Sequence, residues 1–295
     1  MQKVLILGAS GSFGSNCAVA FAAAGWHVRA FKRGQEDMMA AAKGVDVIVN
    51  GLNPPDYKGW VEELPKIARQ VVAAAKASGA TVIQPGNVYN FGAQAGVWDA
   101  DTPHVATTKK GRARIDMERI LRESGVQVII LRGGDFLDTK DSGNFFDFLT
   151  SKLAKGRFIY PGRADIPHAW AYLPDMARAA VGLAEMRGVL GRFEDVPFEG
   201  LTLTGEALRA ALAQHTGRKV ALKPFPWLMM KLLSPFWGLA REMQEMRYLW
   251  DTAHSLNGAR LQALLPDFAA TDLQTVLRQD SYSDAPSIGE ALQNA

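Results

Sequence analysis

The chain has 295 residues, enough for roughly two domains or one large domain with an appended lobe. Its 33 Lys and Arg against 30 Asp and Glu leave a formal charge of +3, too balanced to imply a nucleic-acid partner, and 48% hydrophobic residues support a sizeable core. A single cysteine, Cys17, excludes an internal disulfide and suits the cytoplasm, and no run reaches the ~18 apolar residues of a membrane span.

The first apolar run, residues 4–7, is too short for a signal peptide and is soon interrupted by glycine. It reads as a buried parallel strand, which is aliphatic on both faces. It feeds Gly8, Ala9, Ser10, Gly11, Ser12, Phe13 and Gly14, after which a helix is predicted from 12 to about 24. Glycines in that place let the backbone turn tightly and approach a diphosphate, whose charge sits at the helix N-terminus. The spacing is G-x-x-G-x-x-G rather than G-x-G-x-x-G. Gly8, Ser10, Gly11, Ser12, Phe13 and Gly14 are therefore candidate dinucleotide ligands; a tight turn without a ligand is the alternative. Cys17, inside this helix, reads as a small buried hydrophobe.

A second strand over 26–32 ends in Phe31-Lys32-Arg33-Gly34. A site selective for NAD places an acidic side chain here, on the ribose diol. Two cations stand there instead, and a guanidinium grips a 2′-phosphate bidentately, so NADP is favoured over NAD. Solvated charges at a strand end are the alternative. A third strand over 45–50 leads into Asn50, Gly51 and Asn53, small and amide residues that let the backbone pass close to the adenosine side of a dinucleotide. Helix 60–77, strand 80–84, a charged amphipathic helix 111–124 and strand 126–132 follow. This alternation predicts an α/β fold with a Rossmann-type doubly wound parallel sheet.

Beyond Arg132 the rhythm changes. Residues 145–153 look helical, 157–167 form a loop or short strand, and Asp175 is a plausible N-cap for a helix to about 186. Residues 193–198 are extended, Thr204 caps a further helix, and 220–225 are extended. The predicted organisation is a dinucleotide-binding domain over 1–135, to which 169–195 returns, and a smaller, mainly helical substrate lobe built from 136–168 and 196–295. The segment 225–250 is rich in Trp and Met, with Lys231, Arg241 and Arg247 interspersed. Pocket packing, a dimer interface and a membrane surface all remain open for it, although Pro226, Pro235 and Gly238 argue against one long amphipathic helix. A monomer or homodimer is expected.

Several motifs taken together resemble a known superfamily. They are GASGSFG at 8–14, Asp46-Val47-Ile48-Val49, Val88-Tyr89 after the fourth strand, Arg132 ending the fifth, and Trp170-Ala171-Tyr172-Leu173-Pro174-Asp175. The set resembles the short-chain dehydrogenase/reductase superfamily in its extended and atypical branches, close to the NAD-dependent epimerase/dehydratase-like proteins. That resemblance implies a Rossmann fold, a nicotinamide dinucleotide and a small-molecule substrate. The superfamily's usual acid/base element is Y-x-x-x-K on a helix. In the corresponding helix the tyrosine position carries Lys110 and the lysine position carries Arg114. The usual serine after the fourth strand is also missing from Gln84-Pro85-Gly86-Asn87-Val88-Tyr89.

The pattern K-x-x-x-R-x-x-x-E, Lys110 to Glu118, is instead similar to the isoflavone-reductase-like and NmrA-like branch, whose helix supplies a lysine near the nicotinamide. By that resemblance Lys110 is the catalytic candidate. Lys110 and Arg114 share one helix face, and a partly buried lysine beside a cation gives up its proton readily. Arg114 would hold a phosphate, a ribose hydroxyl or Glu118. A solvated basic helix start is the alternative. Tyr89 either presents its phenol to the nicotinamide or packs with its hydroxyl satisfied. Asn87 either orients a carbonyl or shapes the turn, and Pro85 and Gly86 fall on the cofactor side. Asp135, at a strand's carboxyl end, and His168 are substrate-side candidates, and His104 is a weaker one. No cluster has metal-ligand spacing, so no metal is expected. The expected function is an NADP-dependent oxidoreductase acting on a small carbonyl or conjugated substrate. The alternatives are a non-catalytic NADP-binding sensor and a nucleotide-sugar epimerase/dehydratase.

Overall fold

The computed structural model describes residues 1–54, 59–138, 144–235 and 238–279. Residues 280–295, assigned above to the lobe, lie outside the described residues. The chain begins β1 (Lys3–Leu7), α1 (Ser12–Ala23), β2 (His27–Ala30), α2 (Met38–Ala41), β3 (Val47–Asn50), α3 (Trp60–Ser78) and β4 (Thr81–Gly86). It continues with β5 (Gly96–Trp98), α4 (Lys109–Glu123), β6 (Val128–Arg132), β7 (Asp135–Leu137), α5 (Phe145–Thr150), β8 (Arg157–Tyr160) and β9 (His168–Tyr172). Then come α6 (Leu173–Glu185), β10 (Phe193–Pro197), β11 (Leu201–Leu203), α7 (Gly205–Thr216), β12 (Ala221–Pro224) and α8 (Trp227–Leu233). The described chain closes with α9 (Gly238–Glu245), β13 (His254–Leu256), α10 (Ala259–Leu264) and α11 (Leu273–Gln279).

Six strands form one sheet in the order β10-β6-β4-β3-β1-β2, and every pair in it is parallel. Strand alternation explains its two cores. Val4 and Ile6 point toward α1 and α6, whereas Leu5 and Leu7 point toward α3 and α4. Phe13, Cys17 and Phe21 recur every fourth residue along α1 and make the stripe that covers the first face. The sheet is therefore doubly wound, with helices on both faces. Among the described residues no helix is long and apolar enough to cross a membrane.

Parallel pairing puts the carboxyl ends of all six strands on one edge. The strand order reverses between β1 and β3, which is where sheets of this kind open a ligand crevice. A second core lies beyond that edge. The sheet β11-β9-β7, the pair β12-β8 and helices α5, α7, α8 and α9 pack around Phe146, Phe158, Trp170 and Trp250. The helix α6 lies against α1 and β10 completes the large sheet, while β9, just before α6, belongs to the smaller one.

Asp175 does not cap α6. The helix begins two residues earlier because Pro174 is already set for a first helical turn, and Tyr172 takes the cap position. The buried Asp175 carboxylate instead accepts from the Thr271 N–H at 2.5 Å and its hydroxyl at 2.8 Å, which ties the segment before α11 to the helix start. Thr204 does cap α7, accepting from the Ala207 N–H at 3.0 Å.

Candidate active site

The glycines of the first turn divide by what surrounds them. Gly8 has a φ of +77°, open to glycine at little cost, and a Cβ there would stand 2.8 Å from the Gly51 carbonyl. A Cβ on Gly14 would stand 2.2 Å from the Gly8 carbonyl, so this glycine seats α1 against the turn. Gly51 is similarly crowded, its Cβ position being 2.9 Å from the Leu7 carbonyl. Gly11 differs: its φ is −85°, it is exposed, and the nearest protein atom to a Cβ would be 3.4 Å away. The space over Gly11 is open, which is where a diphosphate would lie.

The N-terminus of α1 has no side-chain cap and no acidic residue in its first turn. Its leading N–H groups and the positive end of the helix dipole are thus presented to an anion. Ser10 is exposed beside this opening, and the Ser12 carbonyl is engaged by Ser15 and Asn16. The Phe13 side chain turns inward into the core, so only its backbone is available to a ligand. The residues present therefore fit a dinucleotide diphosphate.

Around this cradle, Asn50 is fully buried and donates to Gln84 at 2.6 Å while its Oδ1 accepts from the Leu52 N–H. Its amide fixes the loop that carries Gly51 and Asn53. Lys32 and Arg33 are exposed at the end of β2, next in the sheet to β1, where the Phe31 N–H donates to the Ile6 carbonyl. Their side chains enter no hydrogen bond among the described residues. The nearby carboxylate, Glu36, accepts from the Lys32 N–H at 2.7 Å and pairs with Arg29 at 2.6 Å. The Lys32 N–H and the Arg29 guanidinium hold its carboxyl below the usual range. Sequence reading did not single out Glu36. Pro85 and Gly86 are the last residues of β4, and the space a Cβ on Gly86 would fill is held by Ile130 and Arg132 of β6.

On α4, Thr108 caps the helix by accepting from the Gly111 N–H. The polar residues Lys110, Arg114 and Glu118 form a buried stripe, whereas Lys109 and Arg112 face solvent. The solvated-start alternative therefore fails for Lys110, which is 2% exposed. The cation expected to act on Lys110 points elsewhere: Arg114 lies over the Trp60 ring at 4.6 Å and donates to Asn53 Oδ1 at 3.1 Å. What meets Lys110 Nζ is acidic. It donates to Glu242 Oε2, to the Glu242 carbonyl at 3.0 Å and to Glu245 Oε2 at 3.1 Å, all from α9. All three ammonium protons are thereby engaged.

Asn87 shapes its turn. Its Oδ1 accepts from the Tyr89 N–H at 3.1 Å, and its carbonyl accepts from Arg132. Tyr89 stacks on Trp60, with ring centroids 6.2 Å apart, and faces a cavity. That cavity is about 310 Å³ and sits at the carboxyl edge of the sheet, past β4 and β6. Its walls come from Phe145, Phe148, Phe225, Trp227, Trp250 and methionines of α8 and α9. The Trp/Met-rich segment 225–250 thus supplies pocket wall. Asp135 and Glu242 are the charged groups among the described lining residues.

The Asp135 carboxylate meets His168 Nε2 at 2.8 Å, so two residues singled out separately form one pair. His168 stacks flat on Trp250 at 4.2 Å and lies edge-on to His254 at 4.5 Å, behind the cavity wall.

Behind the Asn87 turn lies a charge cluster that local spacing did not reveal. Arg132 is fully buried and directs all five N–H bonds at Glu118, Asp195 and the Asn87 carbonyl. Burial pushes the Asp195 carboxyl up, against the pull of Arg132. The ligand atoms of His104, Glu118 and Asp195 lie within 4.8 Å of one another, yet the two carboxylates are occupied by the guanidinium. The cluster fixes the β4–β6–β10 edge from which Asn87 and Tyr89 project. The signal that could have found it is charge in otherwise apolar sheet strands, at Arg132 and Asp195.

Solved structures of the same architecture are numerous. MoeE5 in complex with UDP-glucose and NAD superposes with a TM-score of 0.74 at 14% identity, covering 95% of this chain and 97% of that one. The UDP-glucuronic acid 4-epimerase of Bacillus cereus, in complex with UDP-glucuronic acid and NAD, gives 0.74 at 13%, with 95% and 98% covered. A nucleoside-diphosphate-sugar epimerase from Staphylococcus aureus gives 0.65 at 19%, with 94% and 100% covered. No protein-family model matches the chain, and no curated protein matches it. The likeness gives this chain the Rossmann-type fold that these structures share.

Proposed function

We propose that the protein is a nicotinamide-dinucleotide-dependent oxidoreductase that acts on a small unsaturated substrate in the cavity beside Tyr89. The observation that carries this reading is the open space over Gly11 at an uncapped helix N-terminus, on the same sheet edge as that cavity. When bound, the dinucleotide would supply or accept hydride. Gly8, Gly11, Ser12, Gly14 and Gly51 would hold its diphosphate, with Arg114 and Asn53 toward a ribose. Tyr89, Asp135 and Glu242 would orient the substrate, and the aromatic walls would exclude water.

NADP is the preferred form in this reading. The exposed Lys32 and Arg33 support it, because Glu36, the carboxylate that would otherwise greet a ribose diol, is engaged by Arg29 and by the backbone. A second reading has support in the neighbours that bind UDP-sugars and NAD: an epimerase or dehydratase, which would remove a hydride and return it.

Calorimetry of the whole chain with NADPH and NADH tests the proposal. Micromolar binding of NADPH, with slow oxidation in the presence of a reducible substrate, is expected. Absence of binding for both nucleotides would overturn it. Cofactor that copurifies and is never consumed stoichiometrically would favour the epimerase reading.

A further inference from the structure

The cavity's chemistry points to the charge of its occupant. Among its described lining residues are five aromatic side chains besides Tyr89, two carboxylates, and no Lys, Arg or His. A sugar nucleotide brings a diphosphate, which proteins hold with guanidinium, ammonium or helix N-terminal groups. The described lining offers no guanidinium or ammonium, and its helix N-termini belong to two short helices, α5, already capped by Asn144, and α8, which starts after Pro226. Two exposed arginines contact wall residues: Arg247 lies over the Trp227 ring at 5.4 Å, and Arg241 Nε is 3.9 Å from Glu242 Oε1.

The under-compensated carboxylate is Asp135. Glu242 and Glu245 share Lys110, and Glu242 also meets Arg241 Nε at 3.9 Å, so two cations face those two anions. The partner of Asp135 is His168, whose imidazole brings a charge only when protonated. Tyr160 and Tyr248, whose hydroxyls are held protonated by burial first and by Asp135 as a lesser cause, add no positive charge. A negative field bounded by aromatic faces attracts an organic cation, through ion pairing and through the ring quadrupoles.

A second consideration is how a hydride acceptor obtains its proton. The helix position that carries a phenol in the superfamily the motifs resemble holds Lys110, whose three N–H bonds are taken by Glu242 and Glu245 of α9, and the phenol in the described lining is that of Tyr89. A carbonyl acceptor needs a proton on oxygen as hydride arrives at carbon. An iminium ion needs none: its carbon takes the hydride, the C=N π pair becomes the nitrogen lone pair, and the positive charge is cancelled.

We propose that the cavity takes a bulky, apolar organic cation, an iminium ion as hydride acceptor, with Asp135 and the Trp227 and Trp250 faces as its recognition elements. The proposal rests on the oxidoreductase reading above and supplies its substrate class.

The test is binding to the whole chain without added dinucleotide, followed by quenching of tryptophan fluorescence and by calorimetry. The probes are N-methyl-dihydroisoquinolinium, the neutral ketone tetralone and UDP-glucose. The cation should bind at least about tenfold more tightly than tetralone, and UDP-glucose should not bind. Asp135→Asn should bring the cation and the ketone within about twofold of each other, with melting temperature recorded as a check on folding. Trp227→Ala, a change at a partly exposed wall, should weaken the cation more than the ketone. Equal or tighter binding of tetralone, preference for UDP-glucose, or discrimination that survives both substitutions would overturn the proposal. A parallel NADPH and NADH titration keeps the two readings apart: its failure removes the oxidoreductase assignment and leaves the cation measurement standing by itself.

Discussion

Lys110 and Glu242 are 132 residues apart in sequence and meet as an ion pair on the wall of the cavity. The pair fastens α9 to α4, so the position that the family resemblance marked for proton transfer anchors a wall of the pocket. Lys110→Met removes the buried cation shared by Glu242 and Glu245, at an expected cost of about 1–3 kcal/mol in stability. Backbone amides of 238–245 should exchange faster with deuterium, and cavity ligands should bind more weakly. Lost turnover with unchanged exchange and unchanged ligand affinity would return Lys110 to the role of proton donor.

The glycine turn makes two separable predictions. Gly14→Ala puts a Cβ against the Gly8 carbonyl and should cost at least about 1–3 kcal/mol, read as a lower urea midpoint. A Cβ on Gly11 meets no protein atom closer than ordinary contact and the position has ordinary extended φ and ψ, so Gly11→Val should keep stability within about 1 kcal/mol, the N-cap preference for glycine offsetting the entropy gain. Its dinucleotide affinity should nevertheless fall at least about tenfold, because the added side chain fills the diphosphate space. Retained affinity in Gly11→Val would remove the diphosphate from this turn.

Arg33 is exposed at the end of β2, and its side chain is in no hydrogen bond among the described residues. Arg33→Ala should therefore leave folding untouched and weaken NADPH by about tenfold, the worth of a charge-assisted contact to a 2′-phosphate. NADH should change by less than about twofold. Parallel losses for the two nucleotides would argue that Arg33 contributes only general charge.

His254 predicts a pH dependence of stability. Burial holds its imidazole down at about 3, and the neighbouring His168 acts in the same direction. Nδ1 donates to the Thr252 carbonyl, and Nε2 is buried without a hydrogen-bond partner, so the ring is neutral. The unfolded chain takes up this proton near pH 6.5 and the folded chain only near 3. Between those values the unfolded state binds more protons, and stability falls as pH drops, by up to about 1.4 kcal/mol per unit. Above pH 6.5 the contribution is constant. Burial lowers His104 as well, with the same sign. His254→Phe keeps the ring stack on Trp98 and should flatten the change in urea midpoint between pH 7.5 and 5; an unchanged slope would contradict the assignment.

What the sequence determined by itself is whatever a short stretch of chain decides locally. Aliphatic runs such as Val4-Leu5-Ile6-Leu7 make parallel strands because both faces must be apolar, and Gly8 turns where a side chain would be strained and would strike Gly51. Thr204 caps its helix through a bond to a residue three positions on. The parallel sheet, its glycine cradle and the cations at the end of β2 were legible for that reason.

Tertiary structure decided what the charged residues do, because a charge takes its role from the partner that desolvation forces it to find. Arg132 could not be known to need Glu118 and Asp195 until β6 and β10 lay side by side. Asp135 and His168 became one unit only when β7 paired with β9. Lys110 changed from a free amine to an anchored one when α9 folded over it. The aromatic residues of 225–250 carried no address of their own, since apolar surface packs without direction; the fold of the lobe made them the walls of a cavity.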